Sequence, residues 1–346
     1  MVRNKVILSL MALAIVLASC ENKSEAPTDS KSQEKDQSPL DSINQKILDD
    51  PNVTEHYLTR AKLWTEKDSV QLALDDLDRS LRLDSTQDKA LQMQGDILYK
   101  ERMVKEARYV YERCVRFNSE NTDCLLQLAE IEFLLENYAE AFNLINDAMK
   151  VDQYDYEAYA LKGDVYKETG DSALAASSYQ TAIELNPQFY DGYIVLGLLY
   201  GAAGKDLAIE YYDSAIELEP DRVEGLYNKA YYLQTTGFRD TSRYSQAIDI
   251  YNRIEELDPE NATANFNKGF INLEYWQDYV EAEKEFSRAI QKYPGYYQAF
   301  YNRGLSLESQ GRLEAARNDY KKALKIKHDF RAAALALARV KRNLGE

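Results

Sequence analysis

Histidine is almost missing from this chain, with only His56 and His328 in 346 residues. They lie near opposite ends, so neither a histidine pair for a metal nor a Ser–His relay is expected. Basic charge is also in short supply. Forty-two Lys and Arg stand against 58 Asp and Glu, a formal net charge of −16. Nucleic acid needs a basic face, so it is excluded as a partner, as is charge-driven adhesion to anionic lipid. Glycine is sparse and forms no phosphate loop: Gly201-Ala-Ala-Gly204 lacks the lysine and the preceding strand. Acidic pairs such as Asp49-Asp50 and Asp75-Asp76 read as solvated faces. No catalytic set emerges, so a non-enzyme with no cofactor, no metal and no small-molecule substrate is expected. A long hydrophobic run is lacking beyond Val6–Leu17, which is too short to span a bilayer comfortably.

What is abundant is tyrosine, 27 residues, and much of it recurs at fixed intervals. The stretch 156–189 shows the pattern. Tyr159, Gly163 and Tyr166 share one helical face. Thr169-Gly170-Asp171 stops that helix and turns the chain. Ala175, Tyr179, Ala182 and Leu185 share a face of a second helix, which Asn186-Pro187 ends, since proline cannot continue it. One such hairpin cannot bury its own apolar faces, so copies are implied.

Copies are present. Position eight of each unit is small: Ala61, Gly95, Ala129, Gly163, Gly197, Ala230, Gly269 and Gly304. A second series places Ala73, Ala107, Ala141, Ala175, Ala208, Ala247, Ala282 and Ala316 in the second helices. Both step by 34 residues with few exceptions. The pattern resembles the tetratricopeptide repeat. The family's second-helix aromatic matches Tyr111, Tyr179, Tyr251, Phe286 and Tyr320, and its closing proline matches Pro187, Pro220, Pro259 and Pro294. The first three units depart from it, with Ser85, Ser119 and Gln153 at the proline position. The resemblance covers residues 54–330, about four fifths of the chain, as units 54–87, 88–121, 122–155, 156–189, 190–222, 223–261, 262–296 and 297–330. It implies an all-α, right-handed α-solenoid of eight helix-turn-helix repeats. Residues 41–53 read as an N-terminal cap, with Ile43, Ile47 and Leu48 packing on the first unit. Residues 331–346 read as a C-terminal capping helix, with Ala334, Leu337 and Ala338 on the eighth unit and Arg339, Lys341 and Arg342 in water. The fifth unit is one residue short near 201–205. The sixth carries five extra residues around 238–244, expected as a surface insertion.

Residues 1–19 read as an export signal: Arg3 and Lys5, an apolar run, then Leu17-Ala18-Ser19-Cys20. The last four resemble the bacterial lipobox, which implies cleavage before Cys20 and lipidation of its thiol, with more than one acyl chain giving stable anchoring. Residues 20–40 hold little apolar surface and read as a disordered tether. Such a tether holds the solenoid about 25 Å from the membrane on average and about 70 Å when stretched. Glu21 is not the aspartate that marks inner-membrane retention, so the resemblance points to the outer membrane, with the face left open.

Cys114 and Cys124 flank a short turn. Either they bridge across it, which an oxidising compartment permits, or they are two small buried thiols in place of alanine; the sequence leaves both open. Stacked repeats line their concave surface with first helices, so positions two, five and nine, with six beside them, are expected in the groove. Units three to five place Asp123, Glu130, Glu157, Asp164 and Asp191 there, among Leu126, Ile194 and Leu198. Units six to eight place Tyr227, Asn228 and Tyr231, then Phe266, Asn267 and Phe270, then Tyr301 and Asn302. The three asparagines resemble the ladder with which some members of the family hold a peptide backbone, an amide being both donor and acceptor. The alternative is that these aromatics only pack between units. The clamp that binds a terminal carboxylate with Lys and Arg is disfavoured, because aromatics occupy its places. The expected role is a lipid-anchored scaffold that binds proteins of the cell envelope. The alternative is a regulator or subunit of a cell-wall or surface-glycan enzyme complex.

Overall fold

The structure is a computed structural model, and it describes residues 38–346. The export signal, Cys20 and the tether as far as residue 37 lie outside the described residues.

An initial helix, α1 (Pro39–Asp49), leads into eight antiparallel hairpins. In chain order these are α2 (Thr54–Glu66) with α3 (Val70–Leu83), α4 (Asp88–Lys100) with α5 (Val104–Phe117), α6 (Thr122–Leu134) with α7 (Tyr138–Val151), and α8 (Tyr156–Glu168) with α9 (Ser172–Leu185). There follow α10 (Tyr190–Ala202) with α11 (Leu207–Leu218), α12 (Val223–Thr236) with α13 (Ser242–Leu257), α14 (Ala262–Ile271) with α15 (Tyr279–Lys292), and α16 (Tyr297–Ser309) with α17 (Leu313–Ile326). The last helix is α18 (Arg331–Asn343). Each helix packs on its hairpin partner and on the next hairpin, and the described residues contain no strand. The fold is an all-α solenoid.

Position eight explains how each hairpin closes. At Gly95, Gly163, Gly269 and Gly304 an added Cβ would lie 2.5, 2.7, 2.9 and 2.6 Å from a ring of the second helix, those of Tyr111, Tyr179, Phe286 and Tyr320. The glycine is the space the ring occupies. Gly197 stands in the same relation to Tyr212 in unit five. Where the second helix carries Leu77 or Ile145 at that place, position eight is Ala61 or Ala129, all four fully buried or nearly so. Unit six is the exception: Ala230 is paired with Tyr251, and Gly237 makes room for Tyr244 instead.

Several expectations need correction. The N-terminal cap begins at Pro39, not at residue 41. Ser38 caps α1, its hydroxyl accepting from the Asp41 amide at 3.2 Å, and proline suits the first turn. Ile43 is buried but Leu48 is 76 % exposed, so it does not pack. The inner face of α18 is Ala333, Ala336 and Val340, with Leu337 at its edge; Ala334 and Ala338 are exposed. The helix is turned by one residue from the expected stripe, which puts Val340, its largest β-branched side chain, inside. Arg339 does not simply face water: it makes a two-pronged ion pair with Glu308, at 2.7 and 2.8 Å.

The sixth unit's extra residues lie on the surface as expected, Phe238 to Ser242 being exposed, but they are fastened down rather than free. They lengthen α13 and bury Tyr244 at 5 % exposure. Arg243 grips Asp206 at 2.6 and 3.0 Å, and Arg239 donates to the Gly204 carbonyl at 2.8 Å. The long connection of unit six is thus fastened to the short turn of unit five. Tyr232 adds its hydroxyl to Asp206 at 3.0 Å, and with Arg243 it holds that carboxyl down at about 2.

Candidate functional site

Neighbouring first helices touch one another as well as their hairpin partners, as α6 does α8 and α10 does α12, so first helices form a wall of their own. Clefts in that wall are lined by first-helix residues alone, among them Gln92, Asp123, Leu126, Glu130, Glu157 and Asp164. These sit at positions two, five and nine, which makes this wall the open face of the solenoid.

Over units six to eight the wall is aromatic. Tyr227 and Tyr231 stack with centroids 6.2 Å apart, and Tyr227 meets the core ring of Tyr251 edge-on at 6.4 Å. Phe266 lies 4.8 Å from Tyr296, 5.6 Å from buried Phe286 and 6.5 Å from Phe270. Tyr301 packs on Tyr320 at 5.8 Å and on Phe330 at 5.1 Å. These rings therefore divide. Phe266 and Tyr301 mainly pack within their own units, on the second helix and the segment that follows it, whereas Tyr231, among the described residues, stacks only on Tyr227 and is 51 % exposed. Burial, with Tyr227 nearby, pushes the Tyr296 hydroxyl up to about 12, so it stays a neutral donor.

The asparagine row is not an open ladder. Asn228 is half-buried, but Asn267 and Asn302 are buried, at 6 % and 8 % exposure. Position six is thus turned into the packing in units seven and eight and only partly so in unit six. The Asn267 amide nitrogen has no hydrogen-bond partner among the described residues.

Sequence reasoning passed over a second feature of this wall. Unit seven carries one more residue than the period, and α14 ends in a π-helical turn, Asn272–Trp276. The left-handed Gln277 (φ 55°) follows it. A widened turn re-aims the side chains that follow it and recurs at functional sites. Here it brings Tyr275 within 6.1 Å of Phe270 and stacks it on Tyr244 at 4.1 Å, leaving Tyr275 and Trp276 41 % and 44 % exposed. The signal was there in the 35-residue spacing of that unit.

Elsewhere, Cys114 and Cys124 form a disulfide, with Cα atoms 6.3 Å apart and both residues fully buried. It joins α5 of unit two to α6 of unit three. No group of three or more His, Cys, Asp or Glu among the described residues is arranged to hold a metal ion. No helix among them is long and apolar enough to cross a membrane.

With the geometry in place, the tetratricopeptide repeat profile matches two of the hairpins, residues 156–189 and 297–330. This is a tetratricopeptide repeat protein. Curated relatives share stretches of the TPR array. A TPR repeat-containing protein of Methanocaldococcus jannaschii is 27 % identical over 202 residues, 56 % of this chain and 35 % of that one. The UDP-N-acetylglucosamine–peptide N-acetylglucosaminyltransferase of Giardia intestinalis is 29 % identical over 177 residues, 48 % of this chain and 11 % of the enzyme. The TPR chain thus spans between about a tenth and about a third of the length of these relatives. Among solved structures, the C-terminal part of a TPR repeat-containing protein from Cytophaga hutchinsonii aligns with a TM-score of 0.51 and 23 % identity, over 65 % of this chain and 91 % of that one. Pseudomonas aeruginosa pilF aligns with a TM-score of 0.52 and 16 % identity, over 60 % and 92 %. At such identities the likeness is one of fold. TPR repeats indicate protein partners.

Proposed function

We propose that this TPR chain is a lipid-anchored scaffold of the bacterial cell envelope that holds a partner polypeptide against the aromatic face of units six to eight, and that it performs no catalysis itself. The observation that carries the binding reading is the exposed aromatic strip of Tyr231 and Tyr275, with Phe270 and Tyr227 beside it. Rigid rings on an open surface offer large contact area at small entropy cost, and such residues dominate interface energetics. The anchor rests on Leu17-Ala18-Ser19-Cys20, and the outer membrane is its expected site.

The test is affinity capture from detergent-solubilised native membranes, comparing the intact chain with Tyr231→Ala/Phe270→Ala at equal helicity by circular dichroism. Partners captured by the first and lost by the second support the reading. An identical set from both moves binding to another surface. No partner at all returns attention to the glycan-enzyme reading. In parallel, Cys20→Ala is expected to abolish incorporation of a labelled fatty acid and to release the protein from the membrane fraction. Retention without label would refute the anchor.

A further inference from the structure

The other half of the concave wall has a different chemistry. Between α4, α6 and α8 lie two adjoining clefts of about 220 and about 490 Å³, sharing Leu126, Gln127 and Glu157. Their apolar surface comes from Leu126, Phe133, Leu134 and Leu161, and Leu134 stands at the rim 57 % exposed. An unpartnered leucine beside an open cleft of that size suits a single aliphatic side chain.

Charge decides what that side chain belongs to. Asp96, Asp123, Glu130 and Glu157 line the same clefts, and among the described residues none is in a salt bridge. Each has instead one neutral donor: Tyr111 to Asp96 at 2.7 Å, Gln92 to Asp123 at 2.7 Å, Tyr99 to Glu130 at 3.1 Å and Tyr156 to Glu157 at 3.1 Å. An ionised carboxylate offers about four acceptor sites, so most remain open. Lys100 is the one cation in the lining. Only at the margins is the charge answered, by Lys167 on Asp164 at 2.6 Å and, in unit five, by Arg222 on Asp191 at 3.0 Å. Like charges held together on an apolar floor repel one another in the free protein, and a cationic partner relieves that repulsion.

We infer that the trough of units two to four is a second docking surface, for a partner segment in which Lys or Arg side chains flank an aliphatic anchor. The aliphatic group fills the cleft at Leu126 and Leu134, while the flanking cations reach Glu130 and Glu157 on one side and Asp96 and Asp123 on the other. The inference goes beyond the aromatic face and fails separately from it, since the two surfaces share no residue. Together they make the solenoid a two-site adaptor.

The test uses the full chain in detergent with three fluorescein-labelled peptides of equal length: one repeating Lys-Leu-Lys, one with Glu for Lys, and one with Ser for Leu. Anisotropy is followed at about 50 and about 150 mM NaCl, where screening of exposed charges increases. The Lys-Leu-Lys peptide is expected to bind saturably, weaken with salt, and lose about ten-fold in affinity on Glu130→Gln/Glu157→Gln, about 1.4 kcal/mol. Leu134→Ser is expected to weaken that peptide and leave the Ser-containing one unchanged. Tyr231→Ala/Phe270→Ala is expected to change neither. Equal binding of the Leu and Ser peptides would show diffuse attraction to an acidic protein and overturn the inference. So would indifference to Glu130→Gln/Glu157→Gln. The glutamine variants are isosteric and alter partly exposed side chains, so their fold is preserved, and circular dichroism verifies it.

Discussion

Replacing Gly269 with alanine tests the packing rule on which every hairpin rests. The new Cβ would lie 2.9 Å from two ring carbons of Phe286 and 3.1 Å from a third, and Phe286 is fully buried. Such overpacking costs roughly 1–3 kcal/mol. Alanine returns up to about 1 kcal/mol of helix propensity, so the net loss expected is about 1 kcal/mol. Phe286→Leu alone removes buried carbon and should cost about 1–2 kcal/mol, less than the roughly 3–5 of a full truncation to alanine. The two together reproduce the alanine–aliphatic pairing that units one and three use at Ala61/Leu77 and Ala129/Ile145. The double variant should therefore lose less than the sum of the singles, by about 1–2 kcal/mol. Phe286 has no hydroxyl, so volume alone changes in this cycle. Urea unfolding followed by far-ultraviolet circular dichroism measures all four proteins. Additivity within about 0.5 kcal/mol would refute the rule, because independent sites add to that precision.

Three further outcomes follow from the same structure. The Cys114–Cys124 bridge closes a short loop, with a sequence separation of 10, so Cys114→Ser/Cys124→Ser should lose about 2–3 kcal/mol in urea unfolding; free thiols in non-reduced peptides of the wild type would contradict this. Burial alone would raise the Glu255 carboxyl, but hydrogen bonds from Lys268, Lys292 and Asn265 outweigh it and hold it at about 2. Its contribution is therefore present above the ordinary carboxylate range and lost as pH falls from about 4.5 towards about 2. Glu255→Gln should lower stability at neutral pH and flatten that acid limb, and an unchanged limb would refute the assignment. Arg243→Ala removes the grip on Asp206, so amide hydrogen exchange over 237–243 should accelerate while units one to three keep their protection.

Arg243 also shows where sequence reasoning stops. Its five-residue insertion was visible as an interruption of the period, as was the missing residue of unit five. That the two meet was not visible, because contacts between consecutive units are set by the superhelix and leave no local signature. The same limit applies to position six. A recurring asparagine at 228, 267 and 302 reads as a row, but whether an amide faces the trough or the packing depends on how far each hairpin is rotated on its neighbour. Two of the three are buried. The capping helix α18 was misjudged by one residue for a related reason: an alanine-rich helix has a weak stripe, and only the shape of α17 beneath it selects Ala333, Ala336 and Val340.

What the chain determines by itself is the repeat. A small residue recurs in all eight units and a second-helix ring in six of them, at a spacing close to 34 residues, and the agreement of many copies outweighs the ambiguity of any one. The aromatic strip at 227, 231, 266 and 270 and the acidic run at 123, 130 and 157 are legible for that reason, since groove positions follow from helix period alone. Tertiary structure decided the rest. It separated Tyr231 and Tyr275, which keep much of their surface exposed, from Phe266 and Tyr301, which pack inside their own units, and it set the carboxylates of α4, α6 and α8 around two adjoining clefts. It also brought Cys114 to Cys124. Each of these depends on the angle and spacing between hairpins, a quantity summed over many weak contacts rather than written at any one residue.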